Sequence, residues 1–215
     1  MTTACYAAPV MDYAIPICAI LLAAGASTRF GAENKLLANV GGTPLIARAA
    51  SRLVTPEIAQ VIAVIAPGHE GESVAAAIRH LPLSTVINTD TGRGMGTSIA
   101  CGAAAVRNPT AGIMMVPADM PSLDPRLLSQ LIAAFRHAGG EKIAYPVTSG
   151  GDQRNPVIWP AHLRQDLMAL DGAAGGKPLL AAHRDCVVTI TAESDRPFDD
   201  IDTQEDLSRV LKAGA

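Results

Sequence analysis

The sequence predicts an α/β fold: three layers, with a mostly parallel open sheet carrying helices on both faces. Three observations point there. The main apolar runs are continuous rather than alternating, as in ICAILLA at 17–23 and QVIAVIA at 60–66, which suits strands buried on both faces. Strand-like and helix-like segments alternate at least four times in the first half of the chain. Glycine-rich or charged stretches follow the strands, and sheets of this kind bind ligands outside the carboxyl ends of their strands.

The first strand, 17–23, stops at Gly25. Residues 43–53 read as a helix with Leu45, Ile46, Ala49 and Leu53 on one side. The second strand, 60–66, is stopped by Pro67-Gly68, and Val74, Ala77, Ile78 and Leu81 then recur at helical spacing. A short third strand is expected at 84–88. It precedes a helix over 94–106 that turns Ile99, Gly102, Ala103 and Val106 inward. GIMMV at 112–116 is the fourth strand. Asp124 followed by Pro125 is an N-cap with proline at the first helical position. The apolar stripe of that helix is Leu127, Leu128, Leu131, Ile132 and Phe135. Strands at 142–147 and 156–159 flank a polar, glycine-rich loop, the place where an excursion from the main sheet is expected. A late strand occupies 186–191. Thr203 caps a final helix with Glu205 and Asp206 in its first turn and Leu207, Val210 and Leu211 inward. Residues 1–16 lack a basic start and are broken by Pro9 and Pro16, so they read as a loose leader before a single domain, 17–215.

Composition narrows the function. The chain has 215 residues, 49% of them hydrophobic, enough for a full core. Aromatic residues are only 3%, so that core is aliphatic. Net charge is −3, with charges scattered along the chain. Without a basic run or rings for base stacking, nucleic-acid binding is excluded. No apolar stretch is long enough for a membrane span. Cys5, Cys18, Cys101 and Cys186 form no CxxC pair and have no histidine at ligand spacing. They read as buried apolar thiols in a reducing, cytoplasmic compartment.

The loop after the first strand concentrates the chemistry. Leu22, Ala23, Ala24 and Gly25 bring small residues to the strand end, where backbone amides can approach a ligand. Ser27 and Thr28 add hydroxyl donors, and Arg29 and Lys35 return two cations to the same turn. Such a set suits a triphosphate; an ordinary solvated loop is the plain alternative. The spacing of Gly25 and Gly31 fits neither the dinucleotide fingerprint nor a P-loop. Asp119, within PADMP, follows a buried strand and is placed at the same sheet edge. It reads as a functional carboxylate or as a turn acid, although Asp124 is the better cap. Free amides where Gly94-Met-Gly-Thr-Ser98 opens a helix suit an anion, or the segment is a plain glycine-rich cap.

LAAGASTRFGAENKLL at 22–37 resembles the opening motif of the molybdopterin nucleotidyltransferase family. Asn88 with the segment starting at Gly94, Pro117-Ala-Asp-Met-Pro121, Arg154-Asn-Pro156 and Asp200-Ile-Asp-Thr203 match further landmarks in order. The resemblance covers 17–211 and implies a Rossmann-like nucleotidyltransferase fold. Ala24 is similar to the molybdenum cofactor cytidylyltransferase branch, where the guanylyl branch usually has glycine. The resemblance implies transfer of a cytidylyl group from CTP to the terminal phosphate of molybdopterin. Mg²⁺ would be held by Asp119 and Asp202, with Arg29 and Lys35 on the leaving group. Asp202 is also readable as a capping acid beside Thr203.

Nucleotide contacts are implied for Leu22, Ala23, Ala24, Gly25, Ser27, Thr28, Arg29 and Lys35, and beyond them for Asn88, Gly94, Gly96, Ser98, Pro117 and Ala118. Arg154, Asn155 and Lys177 are the implied acceptor contacts, and a molybdenum hydroxylase is the implied recipient. The chain departs from the pattern at Ala173, where relatives carry Asp. GTP, another phosphate acceptor, or a non-catalytic delivery chaperone are the alternatives.

Overall fold

The computed structural model describes residues 16–25, 29–31, 34–107 and 109–212. The expected leader falls almost wholly outside these, as do Cys5, Ser27 and Thr28. In chain order the strands are β1 (Ile17–Ala23), β2 (Asn39–Val40), β3 (Thr43–Pro44), β4 (Ile58–Ile65), β5 (Ser84–Ile87), β6 (Gly112–Pro117), β7 (Ile143–Val147), β8 (Val157–Pro160) and β9 (Val187–Thr191). The helices are α1 (Leu45–Leu53), α2 (Gly68–Ile78), α3 (Met95–Ala105), α4 (Pro125–His137), α5 (Arg164–Met168), α6 (Lys177–Ala182) and α7 (Gln204–Lys212).

Seven strands form one sheet in the order β5-β4-β1-β6-β8-β7-β9, and β2 with β3 forms a separate hairpin. β1 runs parallel to β4 and β6, β4 to β5, and β7 to β9. Within the seven-stranded sheet, β8 alone is antiparallel to its neighbours. The chain builds outward from β1 through β4 to β5, then returns to lay β6 on the other side of β1. The crevice above β1 and β6 is therefore the topological switch point, where sheets of this kind bind ligands.

Side chains of β1 alternate between two cores. Ile17, Ala19, Leu21 and Ala23 join one, and Cys18 and Ile20 the other, the period-two pattern of a strand. Leu45 of α1, Ile78 of α2, Phe135 of α4 and Val210 of α7 close the first face. Ile99 and Ala103 of α3 and Leu167 of α5 close the second. This is the three-layer arrangement that the continuous apolar runs predict. Burying each such Leu, Ile or Phe fully contributes about 1.5–3 kcal/mol, so an aliphatic core suffices.

The differences from expectation are local. α1 begins at Leu45 rather than at 43 because Thr43 and Pro44 pair with Val40 and Asn39. Leu211 is 46% exposed, so the inward stripe of α7 rests on Leu207 and Val210. Of the described cysteines, all free, only Cys18 is buried; Cys101 is half-buried and Cys186 exposed. Among the described residues, no helix is long and apolar enough to cross a membrane.

Candidate active site

The chain leaves β1 through Ala24 and Gly25. A Cβ on Gly25 would meet nothing within 4 Å, so the backbone faces open space. The return of the loop is anchored. Phe30 and Leu36 are buried in the core. Gly31 takes a φ of 104°, which glycine adopts without steric cost. Asn34 Oδ1 accepts the Leu36 amide at 3.0 Å and caps the short turn Lys35–Leu37. Lys35 is thereby held beside the crevice.

From the other side, the Ala118 amide donates to the Leu22 carbonyl at 3.2 Å, which carries the β1–β6 pairing up to Asp119. Fully buried Ile201 donates its amide to the Asp119 carbonyl at 3.0 Å. That bond draws the segment after β9 across the sheet edge and sets Asp202 beside Asp119.

The two carboxylates converge on one cation. Lys35 Nζ donates to Asp119 Oδ2 at 2.7 Å and to Asp202 Oδ1 at 2.8 Å. Arg29 Nη2 pairs with Asp202 Oδ2 at 2.9 Å. The Lys35 side chain is 12% exposed and that of Arg29 72%, so one cation is fixed inside and the other reaches in from solvent. Burial pulls the Lys35 ammonium down, but Asp119, its hydrogen bond and Asp202 outweigh this and leave it above the ordinary lysine value. Asp200 lies close by. Desolvation of its carboxyl, then the charges of Asp119 and Asp202, push it above the ordinary carboxylate value.

Arg29, Lys35, Asp119 and Asp202 line one cleft of about 440 Å³, together with Leu22, Ala24, Gly25, Gly94, Ser98 and Pro117. Leu36, Thr91, Gly92 and Met95 complete the wall; Leu36 and Met95 lie inside the two motifs the sequence offers without being named as contacts, and Thr91 and Gly92 lie outside both. Met95 left one usable signal, an apolar side chain in a glycine-rich turn, and it is 54% exposed.

The remaining expected contacts among the described residues lie elsewhere. Ala23 and Ala118 are buried beneath the cleft floor. Asn88 is buried behind the wall: its amide donates to Thr97 Oγ1 at 2.9 Å and Ser98 Oγ at 3.0 Å. It therefore holds the start of α3 and does not line the cleft. The Gly96 amide is not free for an anion, because it donates to the Gly172 carbonyl at 2.9 Å. Arg154 and Asn155 sit exposed in the loop between β7 and β8, and Lys177 is exposed at the start of α6; none of the three lines the cleft.

The donor set suits a hard cation. Two carboxylate oxygens from distant segments approach a single point, which Lys35 Nζ occupies. Among the described residues, no group of three or more His, Cys, Asp or Glu is arranged to hold a metal ion. Water and substrate oxygens would complete the shell, as is usual for Mg²⁺.

Fold and cleft define a class: a nucleotidyltransferase, with cations and carboxylates gathered at the switch point of a mostly parallel sheet. Residues 19–187 match the MobA-like NTP transferase domain, and the chain belongs to that family. It is 31% identical to the probable molybdenum cofactor guanylyltransferase of Natronomonas pharaonis over 88% of this chain and 94% of that one. It is 28% identical to the nicotine blue oxidoreductase of Paenarthrobacter nicotinovorans over 89% and 95%. Among solved structures, the Mycobacterium sp. strain JC1 homologue of a Mycobacterium tuberculosis protein superimposes with a TM-score of 0.78. It is 25% identical, over 92% of this chain and 96% of that one.

Proposed function

We propose that this enzyme transfers a cytidylyl group from CTP to the terminal phosphate of molybdopterin, releasing pyrophosphate and forming molybdopterin cytosine dinucleotide. The observation that carries the chemistry is the convergence of Lys35, Asp119 and Asp202, with Arg29, beside the open backbone at Gly25. An oxygen of the acceptor phosphate attacks the α-phosphorus of the nucleotide. The bond from that phosphorus to the bridging oxygen breaks, and the electron pair leaves with pyrophosphate. No covalent enzyme intermediate is needed, so catalysis is positioning and charge stabilisation. Arg29 and Lys35 move from the carboxylates to the oxygens of the leaving pyrophosphate, and the Gly25 backbone admits the triphosphate close to the strand end. Mg²⁺ held by Asp119 and Asp202 would neutralise charge on the phosphate oxygens.

The name of the Natronomonas pharaonis relative supports a molybdenum-cofactor acceptor, and it also supports GTP as a second reading. Ala24 lines the cleft, and alanine at this position favours CTP through the resemblance to the cytidylyl branch, since the guanylyl branch usually has glycine there. Pyrophosphate release, measured with each nucleoside triphosphate, Mg²⁺ and molybdopterin, tests the assignment. Turnover with CTP alone is expected, with GTP admitted by Ala24→Gly. Turnover with GTP alone would move the assignment to guanylyl transfer. No release with any nucleotide would overturn it.

A further inference from the structure

One wall of the cleft, Gly94, Met95 and Ser98 at the start of α3, is braced from outside the cleft. A Cβ on Gly94 would lie 2.6 Å from the carbonyl carbon of Gly172, and one on Gly96 would lie 2.5 Å from that of Asp171. These are main-chain contacts, which cannot yield as the end of a flexible side chain can. The Gly96 amide donates to the Gly172 carbonyl at 2.9 Å. Arg93 pairs with Asp171 through Nη2 and Oδ2, and the other Asp171 oxygen accepts the Gly172 amide at 2.7 Å. A Cβ on Gly175 would lie 3.1 Å from Met95 Sδ, so the same turn backs Met95 as well.

We propose that residues 171–175 are a positioning element for the nucleotide, setting the wall at Gly94, Met95 and Ser98 through main-chain contact, with Arg93 and Asp171 as its latch. The proposal rests on reading the cleft as the nucleotide site. It assigns the glycines at 94 and 96 to close packing against this turn rather than to anion approach. Arg93 and Asp171 touch no substrate and act through the wall. Their side chains are 62% and 49% exposed, and exposed pairs contribute little stability, so the latch fixes register more than it holds the fold together.

The test compares nucleotide Kd by calorimetry, and KM with kcat, for wild type, Gly96→Ala, Arg93→Ala, Asp171→Ala and the exchanged pair Arg93→Asp/Asp171→Arg. Gly96→Ala is expected to raise Kd and KM for the preferred nucleotide about tenfold while kcat changes less than about twofold. Each single latch variant is expected to weaken binding about two- to fivefold, and the exchanged pair to recover part of that loss, because it restores the ion pair but not the bond that Asp171 accepts from the Gly172 amide. Should Gly96→Ala fail to fold, the exposed latch residues carry the test, since replacing them leaves the core untouched. Unchanged Kd across folded variants, or kcat falling at constant Kd, would overturn the proposal alone. A wild-type protein that binds no nucleotide would overturn both the proposal and the reading beneath it.

Discussion

Lys35 does two jobs by position. It satisfies two carboxylates at 2.7 and 2.8 Å, and under the proposed function it also meets the charge of the polyphosphate. Asp119→Asn keeps shape and removes one charge, so the fold should survive while turnover falls by about 10²–10³-fold, as when a group stabilising the transition state is removed. Steady-state rates beside a urea unfolding curve check this; near-normal turnover would take Asp119 out of the site. Lys35→Met is different. It leaves Asp119 and Asp202 facing each other without their shared cation, so stability and nucleotide KM should both suffer, and an unchanged KM for the triphosphate would count against its role. The thiols make a cleaner contrast. Burial pushes the Cys18 thiol up to about 12, and Cys101 is raised by burial and then by Asp90, whereas Cys186 is exposed. Because the thiolate is the nucleophile, an alkylating reagent should label Cys186 before Cys101 in the native protein, and Cys18 only after unfolding. Mass spectrometry of timed samples reads the order.

At the scale of the element, α7 matters because Asp202 directly precedes Thr203, the residue that caps its first turn. Thr203 Oγ1 accepts the Asp206 amide at 3.2 Å and donates to Asp206 Oδ2 at 2.8 Å, and Oδ2 also accepts the Thr203 amide at 2.9 Å and the Asp202 amide at 3.2 Å. This is a capping box with Asp in the place of Glu. Thr203→Ala should cost about 0.5–2 kcal/mol and lower turnover by loosening Asp202. The Thr203 hydrogen bond holds the Asp206 carboxyl below its ordinary value. Its stabilisation is therefore present above the unfolded carboxylate value and is lost as pH falls through the lower folded one. The stability gap between wild type and Thr203→Ala should narrow in acid, read from urea curves over a pH series. A gap constant across that range would assign the cap to the hydroxyl alone. Thr203 with two acids after it is a local pattern, so this cap was legible. α5 and α6 were not: at five and six residues they are too short for helical periodicity to show.

Across the whole molecule, legibility follows distance along the chain. β1 and its loop are contiguous, and the buried apolar strand, the small residues and the cations could be read together. Asp119 was readable because it follows β6 within a few residues. The bond between Ile201 and Asp119, and the contact of Gly96 with Asp171, join segments far apart in sequence. There, a glycine serving main-chain packing looks the same as one serving a phosphate. Gly102 was read as inward-facing, but how closely it packs depends on the sheet. A Cβ there would lie 2.4 Å from Ile20 Cγ2 and 3.0 Å from Val64 Cγ2, both on strands fully buried at these positions. α3 thus rests directly on β1 and β4, and Arg164 holds its last turn through the carbonyls of Ala103, Ala104 and Val106 at 2.9–3.1 Å. Gly102→Ala cannot be relieved by one rotamer change, so the helix must lift from the sheet. The expected loss is about 1–3 kcal/mol, with weaker nucleotide binding because the same helix begins at the cleft wall. Ile20→Ala removes the atom met first. In the double variant Gly102→Ala/Ile20→Ala the stability loss should then be smaller than the sum of the single losses, a non-additivity expected only for residues in contact. Urea midpoints of the four proteins decide it: strict additivity would mean that α3 accommodates the methyl group without leaning on β1, and that its register on the sheet does not set the cleft wall.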